Sequence, residues 1–87
     1  MTFRIETATR GKVRAFILSG RIEKPAIAEL SRLFELQTEL SEMVLDLKDV
    51  GVIDRDVMRF FMHCEEQGVK LENCAPYIRE WMEREKD

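Results

Sequence analysis

The sequence predicts a small α/β domain with a mixed β-sheet, in the element order β-β-α-β-α-β-α over residues 1–87. Segments that are short and apolar or alternating, as in strands, are followed by longer segments with apolar residues at helical spacing. The first two strand-like segments lie close together and favour an antiparallel hairpin. The later strands are separated by helices, which favours parallel neighbours with right-handed crossovers and helices packed on the sheet.

The first two segments predict strands. Residues 3–7 alternate apolar and polar side chains, and residues 13–18 form a second apolar run after a turn at residues 9–12. Residues 19–22 contain serine, glycine and arginine. We therefore expect this segment to leave the sheet.

The next two segments predict a helix and a third strand. Pro25 marks the helix start, because proline is tolerated at the first helical position. Apolar residues then recur at helical spacing: Ile27, Leu30, Leu33, Phe34 and Leu40. Residues 43–47 are nearly continuously apolar, as in a strand covered on both faces, and only Asp46 interrupts them. Residues 48–53 are predicted as a loop.

A second helix, a fourth strand and a third helix complete the prediction. Asp54 is placed as an N-cap, since a short carboxylate accepts the free amides of a first helical turn. Gly68 is a common C-terminal signal, and residues 69–71 begin a strand. Pro76 opens the last helix. The expected apolar positions of the two helices are Val57, Phe61 and Cys64, flanked by Met58 and Met62, and then Ile78, Trp81 and Met82.

These segments, taken in order, resemble the STAS domain of bacterial anti-sigma factor antagonists and of the cytosolic tails of sulphate transporters. The resemblance is carried by Val44-Leu45-Asp46-Leu47, Ile53-Asp54 and the helix after it, and Gly68-Val69-Lys70-Leu71. Two further segments resemble the second-strand signature and the proline-led last helix: Leu18-Ser19-Gly20-Arg21-Ile22 and Cys74-Ala75-Pro76-Tyr77-Ile78-Arg79. The similarity spans nearly the whole chain.

One part of the family pattern is missing. In antagonists of the switching type, the aspartate matched by Asp54 is followed by a serine or threonine that the partner kinase phosphorylates. Arg55 stands at that position here, and Asp56 and Val57 replace a small residue and a glycine. Residues 50–67 contain no serine, threonine or tyrosine, so the usual phosphorylation switch is absent from this turn.

The resemblance implies a non-catalytic protein-interaction module, similar to an anti-sigma factor antagonist, in bacterial signalling. The implied partner is an anti-sigma factor or a kinase-like regulator. The residues expected to contact it are Asp54, Arg55, Asp56 and Arg59. We expect no cofactor. A relative that binds a small ligand is a further alternative, although nothing in the sequence indicates which ligand.

The same aspartates support a second hypothesis from another class. Ile53-Asp54-Arg55-Asp56-Val57 resembles the D-x-D motif of haloacid-dehalogenase-type phosphatases, in which the first aspartate is the nucleophile and the second the general acid. That chemistry needs Mg²⁺ and further ionisable residues, in much larger enzymes. An N-cap followed by an acid in the first helical turn explains the pair more simply, and we predict that the chain is not an enzyme.

Charge and cysteine content exclude other classes. The 14 basic and 17 acidic residues give a net charge of -3 and a pI of about 5.2, so we expect no nucleic-acid partner. The spacing of Cys64 and Cys74, with His63 as the sole histidine, does not indicate a zinc site. Adjacent helical residues point about 100° apart, which predicts an exposed His63 beside a buried thiol. We expect a cytoplasmic protein without a membrane partner.

Two features predict self-association or a stable complex. The stripe of Met58, Phe60, Phe61 and Met62 is wider than one helix face needs, so its surplus is expected to form an exposed apolar patch. STAS domains commonly continue with another strand and helix, whereas this sequence ends at Asp87. An uncovered sheet edge is commonly paired, and we therefore expect a homodimer or a heteromeric complex.

Overall fold

The computed structural model describes residues 3–36, 39 and 42–86. Its elements are β1 (Phe3–Arg10), β2 (Val13–Ile22), α1 (Lys24–Glu35), β3 (Met43–Ile53), α2 (Arg55–Glu66), β4 (Lys70–Glu72) and α3 (Pro76–Glu85). The predicted order is confirmed. Leu40, the last apolar position predicted for the first helix, lies outside the described residues.

The four strands form one sheet in the order β1-β2-β3-β4. β1 and β2 are antiparallel, from the pair Phe3↔Gly20 to the pair Arg10↔Val13. β2 pairs in parallel with β3, and β3 with β4. The predicted hairpin at one edge and the parallel neighbours beyond it are therefore confirmed.

Three predicted strand ends were wrong, and in each case the strand is longer. β1 continues through Arg10, which leaves only residues 11–12 for the turn. β2 does not leave the sheet after Leu18, and β3 does not become a loop after Leu47. Their last residues, Ile22 and Ile53, pair with each other and are buried. Pairing and burial at the far end of the sheet outweigh the loop-like local composition.

Irregular pairing explains the loop-like residues within β3. The register between β2 and β3 shifts twice, after Ile17 and after Gly20. At the first shift, the backbone N–H of Lys48 donates to the Asp46 carboxylate over 3.0 Å. A side chain thus supplies an acceptor where the strand ladder is disrupted. The exposed charges at this point belong to an irregular strand.

All three helices contribute to the core that covers one face of the sheet. Large side chains of this core include Phe16 and Leu18 of β2, Leu45 and Leu47 of β3, Leu30 of α1, Met58 and Phe61 of α2, and Ile78 and Met82 of α3. Side chains alternate between faces along a strand. The paired Ala15 and Val44 therefore lie on the opposite face, where they are buried outside this core.

The wide apolar stripe of α2 is used internally. Met58 is fully buried, although a flanking position was predicted. The Phe60 ring stacks on Phe34 with centroids 5.9 Å apart, and Met62 packs against the core. The expected exposed patch from this stripe was therefore wrong. The large exposed apolar side chains in the described parts of the chain are Leu36, Val52 and Tyr77.

A charged cluster spans the opposite face of the sheet. The Arg10 guanidinium of β1 donates to Glu72 of β4 over 3.1 Å and lies 3.9 Å from Asp46 of β3. Because β2 and β3 separate β1 from β4, the Arg10 and Glu72 side chains together span the crossing of both strands. The small Ala15 on this face leaves room for that crossing. We call Arg10, Asp46 and Glu72 the sheet-face clamp.

Candidate interaction site

Asp54 joins the first turns of two helices. Its Oδ1 accepts the backbone N–H of Val57 over 2.9 Å, which confirms the predicted N-cap of α2. Its Oδ2 accepts the backbone N–H of Lys24, the first residue of α1, also over 2.9 Å. Glu23, the N-cap residue of α1, makes no side-chain cap of its own. A single carboxylate therefore holds the starts of α1 and α2 together.

The residues after Asp54 present opposite charges to solvent. Arg55 and Asp56 are both exposed in the first turn of α2. Arg59, one turn later, donates through Nε and Nη2 to the same Glu85 oxygen of α3, over 3.0 and 2.8 Å. This hydrogen bond is the main reason that the pKa of Glu85 lies below its usual value. Of the predicted contact residues, Arg55 and Asp56 are thus exposed charges, whereas Arg59 has an internal partner.

Two exposed apolar side chains lie near this turn. Val52, two residues before Asp54, is 50% exposed. Tyr77 of α3 is 47% exposed, and its hydroxyl donates to the Gly51 carbonyl over 2.7 Å. Neither residue was among the predicted contact residues, and the Tyr77 contact joins positions 26 apart in the chain. We call Val52, Asp54, Arg55, Asp56, Arg59 and Tyr77 the turn surface.

No family model matches this sequence, and no curated protein matches it. The structure is similar to the crystal structure of an antisigma-factor antagonist, a STAS domain from Rhodobacter sphaeroides. The TM-score is 0.60, with 11% sequence identity over 83% of this chain and 87% of that chain. This chain has the STAS fold. The expected fold is thereby confirmed, and at this level of identity the likeness concerns the fold.

One side chain of α3 contacts β3 close to Asp54. Tyr77 reaches β3 at Gly51, three residues before Asp54. Its hydroxyl is occupied by the bond to the Gly51 carbonyl, and partial burial raises the pKa of Tyr77. The phenol is therefore a neutral donor at neutral pH, and it attaches the start of α3 to β3.

The D-x-D hypothesis can be compared with the geometry of Asp54 and Asp56. Both oxygens of Asp54 accept backbone N–H groups, so nucleophilic attack by Asp54 would have to break a helix cap. Asp56 is exposed in the first turn of α2, two residues after Asp54. Nowhere in the described residues do three or more His, Cys, Asp or Glu side chains gather in a group able to hold a metal ion.

Two further findings concern residues singled out in the sequence. His63 is exposed and Cys64 is buried, as predicted for adjacent positions on α2. Both cysteines are free thiols. Among the helices that the structure describes, none has the length and apolar character needed to cross a membrane.

The two thiols are expected to react at very different rates with iodoacetamide at neutral pH. Burial raises the pKa of Cys64 to about 12, and burial also raises the pKa of the less buried Cys74. The thiolate is the reactive form, so both react slowly and Cys64 reacts only when the chain unfolds. Mass spectrometry of the labelled native protein should find one adduct, on Cys74. A Cys74→Ser variant that still labels in its native state would contradict this expectation.

Proposed function

We propose that this chain is a non-catalytic protein-interaction module of the anti-sigma factor antagonist type, acting in the cytoplasm of a bacterium. It binds an anti-sigma factor or kinase-like regulator through the turn surface. The observation that carries the proposal is the double cap by Asp54, which holds two helix starts together and leaves Arg55 and Asp56 exposed. The similarity to an antisigma-factor antagonist supports the choice of partner class.

The composition of the turn surface suits a protein partner. Protein interfaces combine apolar or aromatic anchors at their centre with a polar rim, and tyrosine is enriched among the residues that contribute most. Here the anchors are Val52 and Tyr77, and the rim carries Arg55 and Asp56. The opposite charges of the rim favour a partner that presents an acidic and a basic group at matching positions.

Binding through this surface is constitutive in our proposal. A phosphate at the position after Asp54 would add nearly two negative charges, but Arg55 has no hydroxyl to receive it. Asp56 is not a substitute for a phosphoserine. A single carboxylate carries less charge, it lies one position later, and the neighbouring Arg55 partly cancels it.

We further infer that the chain binds its partner without performing chemistry on it. In the D-x-D hypothesis Asp54 would be the nucleophile. Instead its carboxylate caps α1 and α2, with both oxygens engaged at 2.9 Å. An attack would therefore sacrifice two stabilising hydrogen bonds. A magnesium-dependent phosphatase assay with a small phosphate ester tests this inference, and turnover that is lost in an Asp54→Asn variant would contradict it.

The test of the turn surface is a charge exchange that leaves the net charge unchanged. We expect the double variant Arg55→Glu, Asp56→Lys to bind the purified partner at least about tenfold more weakly than the native chain, equivalent to about 1.4 kcal/mol. The partner is first obtained by affinity capture from the source cell and identified by mass spectrometry. Isothermal titration with that purified regulator then measures the dissociation constant.

A matched control uses the ion pair on α1. Arg32 and Glu29 are joined over 2.7 Å and exposed, and exchanging them as Arg32→Glu, Glu29→Lys also preserves net charge. This control is expected to bind the partner like the native chain.

Equal affinity of the turn variant and the native chain would refute the turn surface. A kinase assay that placed phosphate within residues 50–67 would refute constitutive binding.

A further inference from the structure

The sheet has a long and regular outer edge at β1. β1 pairs with β2 through eight consecutive residue pairs without a register shift. In the part of the chain that the structure describes, no strand pairs with its other side. β1 also contains no proline. Such an edge presents a row of backbone donors and acceptors to which another strand can add.

The side chains of β1 form a charged row on one face of the sheet and an apolar row on the other. Arg4 and Glu6 are exposed on the open face of the sheet and lie 3.6 Å apart. Phe3 and Ile5 point to the helical face, where they are half-buried and pack against the core. A strand added to this edge would cover the remaining apolar surface of Phe3 and Ile5 and would meet the charged row on the other face.

We propose that a second copy of this chain adds to the β1 edge as an antiparallel strand, with the two-fold axis at Ile5. In a symmetric antiparallel pair one residue lies opposite its own copy, and residues equally spaced on either side face each other. The axis at Ile5 places Arg4 opposite Glu6 of the second copy, and does so twice. On the other face it places Ile5 beside Ile5 and Phe3 beside Thr7 of the second copy. The result is one continuous eight-stranded sheet.

Charge excludes the neighbouring registers. Like charges directly opposite each other destabilise a strand pair. An axis at Arg4 or Glu6 sets that residue against its own copy. An axis at Thr7 sets Arg4 against Arg10 of the second copy. The axis at Ile5 instead produces an alternating group of two arginines and two glutamates, since each arginine already lies beside the glutamate of its own strand.

A further register, with the axis at Ala8, combines one attractive and one repulsive charge pair. It sets Glu6 against Arg10 of the second copy, but also Arg4 against Lys12. Arg10 is already held by Glu72 over 3.1 Å in the sheet-face clamp. The register at Ile5 leaves that clamp intact. It also uses no residue of the turn surface. Failure of the dimer proposal would therefore not contradict the proposed function, and failure of the proposed function would not contradict the dimer.

The decisive experiment is a charge exchange between two copies. Arg4→Glu places Glu against Glu in the pair, and Glu6→Arg places Arg against Arg. Each variant alone is therefore expected to be monomeric in sedimentation velocity, at a concentration at which the native chain is dimeric. An equimolar mixture restores both opposite-charge pairs and is expected to form a one-to-one dimer. The double variant Arg4→Glu, Glu6→Arg is expected to dimerise like the native chain.

Cysteine cross-linking determines the register. Ile5→Cys in a Cys74→Ser background places two thiols across the axis, at a separation that a disulfide can bridge. Cys64 is buried and does not compete. Under mild oxidation Ile5→Cys is expected to cross-link faster than Thr7→Cys or Ala8→Cys in the same background.

Three results would overturn the proposal. They are a native chain that stays monomeric at all concentrations, a single charge variant that dimerises like the native chain, and a cross-link that forms faster at position 7 or 8 than at Ile5. Unchanged circular dichroism of the variants ensures that loss of dimer is not loss of folding.

Discussion

Replacing Asp54 with alanine is expected to lower the free energy of unfolding by about 2–3 kcal/mol. Loss of the side-chain cap on the Val57 N–H costs about 1 kcal/mol, with a range up to about 2. The same change removes the acceptor of the Lys24 N–H, and a typical hydrogen bond contributes about 1 kcal/mol more. The effect exceeds that of an ordinary N-cap because one carboxylate serves two helices. Urea unfolding followed by circular dichroism measures it.

Two variants serve as controls for this effect. Asp54→Asn keeps one carbonyl oxygen as an acceptor, so its loss of stability is expected to be intermediate. Asp56→Ala removes an exposed carboxylate that interacts with the helix dipole, at a cost of roughly 0.3–1 kcal/mol. Equal unfolding midpoints for Asp54→Ala and Asp56→Ala would show that Asp54 does not join the two helices.

The double cap also affects how partner-binding data are interpreted. A variant of Asp54 that fails to bind a partner has lost the alignment of α1 with α2 as well as a surface charge. Arg55 and Asp56 make no comparable contact in the described structure, so their exchange changes the surface and leaves the scaffold in place. For this reason the functional test rests on these two residues, and the stability test rests on Asp54.

Local chemistry explains why several features were predictable from the sequence. An N-cap, a proline at a helix start and a glycine after a helix end each depend on a few neighbouring residues. Asp54 and Pro25 accordingly begin α2 and α1, and Gly68 follows α2 with φ +104°. The alternation of strand-like and helix-like segments likewise predicted the element order, because periodicity is itself a local property.

Contacts between distant parts of the chain explain what could not be predicted. Nothing near Asp54 in the sequence indicates that its second oxygen serves Lys24, 30 positions away. The pairing of Arg59 with Glu85 spans 26 positions. Because of these contacts, Arg59 is paired with Glu85, and Asp54 connects the starts of α1 and α2. The candidate residues were therefore identifiable from sequence, whereas their partners required the fold.

Replacing Asp46 with alanine is the second change with a large expected effect, about 2–3 kcal/mol. The Asp46 side chain is 13% exposed and accepts the Lys48 N–H and the Asn73 amide, each over 3.0 Å, with Arg10 at 3.9 Å. Hydrogen bonds to a charged group contribute about 1.5–3 kcal/mol, and their loss leaves a backbone donor without its acceptor at the β3 register shift. Urea unfolding measures the loss.

The matched control is Glu72→Ala, which removes the other acid of the sheet-face clamp. In its ion pair with Arg10, the Arg10 side chain is 49% exposed and the Glu72 side chain is 35% exposed. Exposed pairs of this kind contribute at most about 1 kcal/mol. The control is therefore expected to cost clearly less than Asp46→Ala. Equal losses would mean that the ion pairs across the open face, and not the bonds at the register shift, account for the stability that Asp46 provides.

Acid titration measures how much the negative charge of Asp46, as distinct from the size and shape of its side chain, contributes to the free energy of unfolding. The Asn73 hydrogen bond, followed by the Lys48 N–H and the Arg10 charge, lowers the pKa of Asp46, although partial burial opposes this. Because its folded pKa is below its unfolded value of about 3.9, the charged form stabilises the fold above that pH. This contribution is lost as the pH falls through the folded pKa.

The stability difference between the native chain and Asp46→Asn is therefore expected to be constant near neutral pH and to shrink below about pH 4. Other carboxylates titrate in both proteins and cancel from the difference, so a difference that did not change with pH would show that the charge of Asp46 contributes nothing.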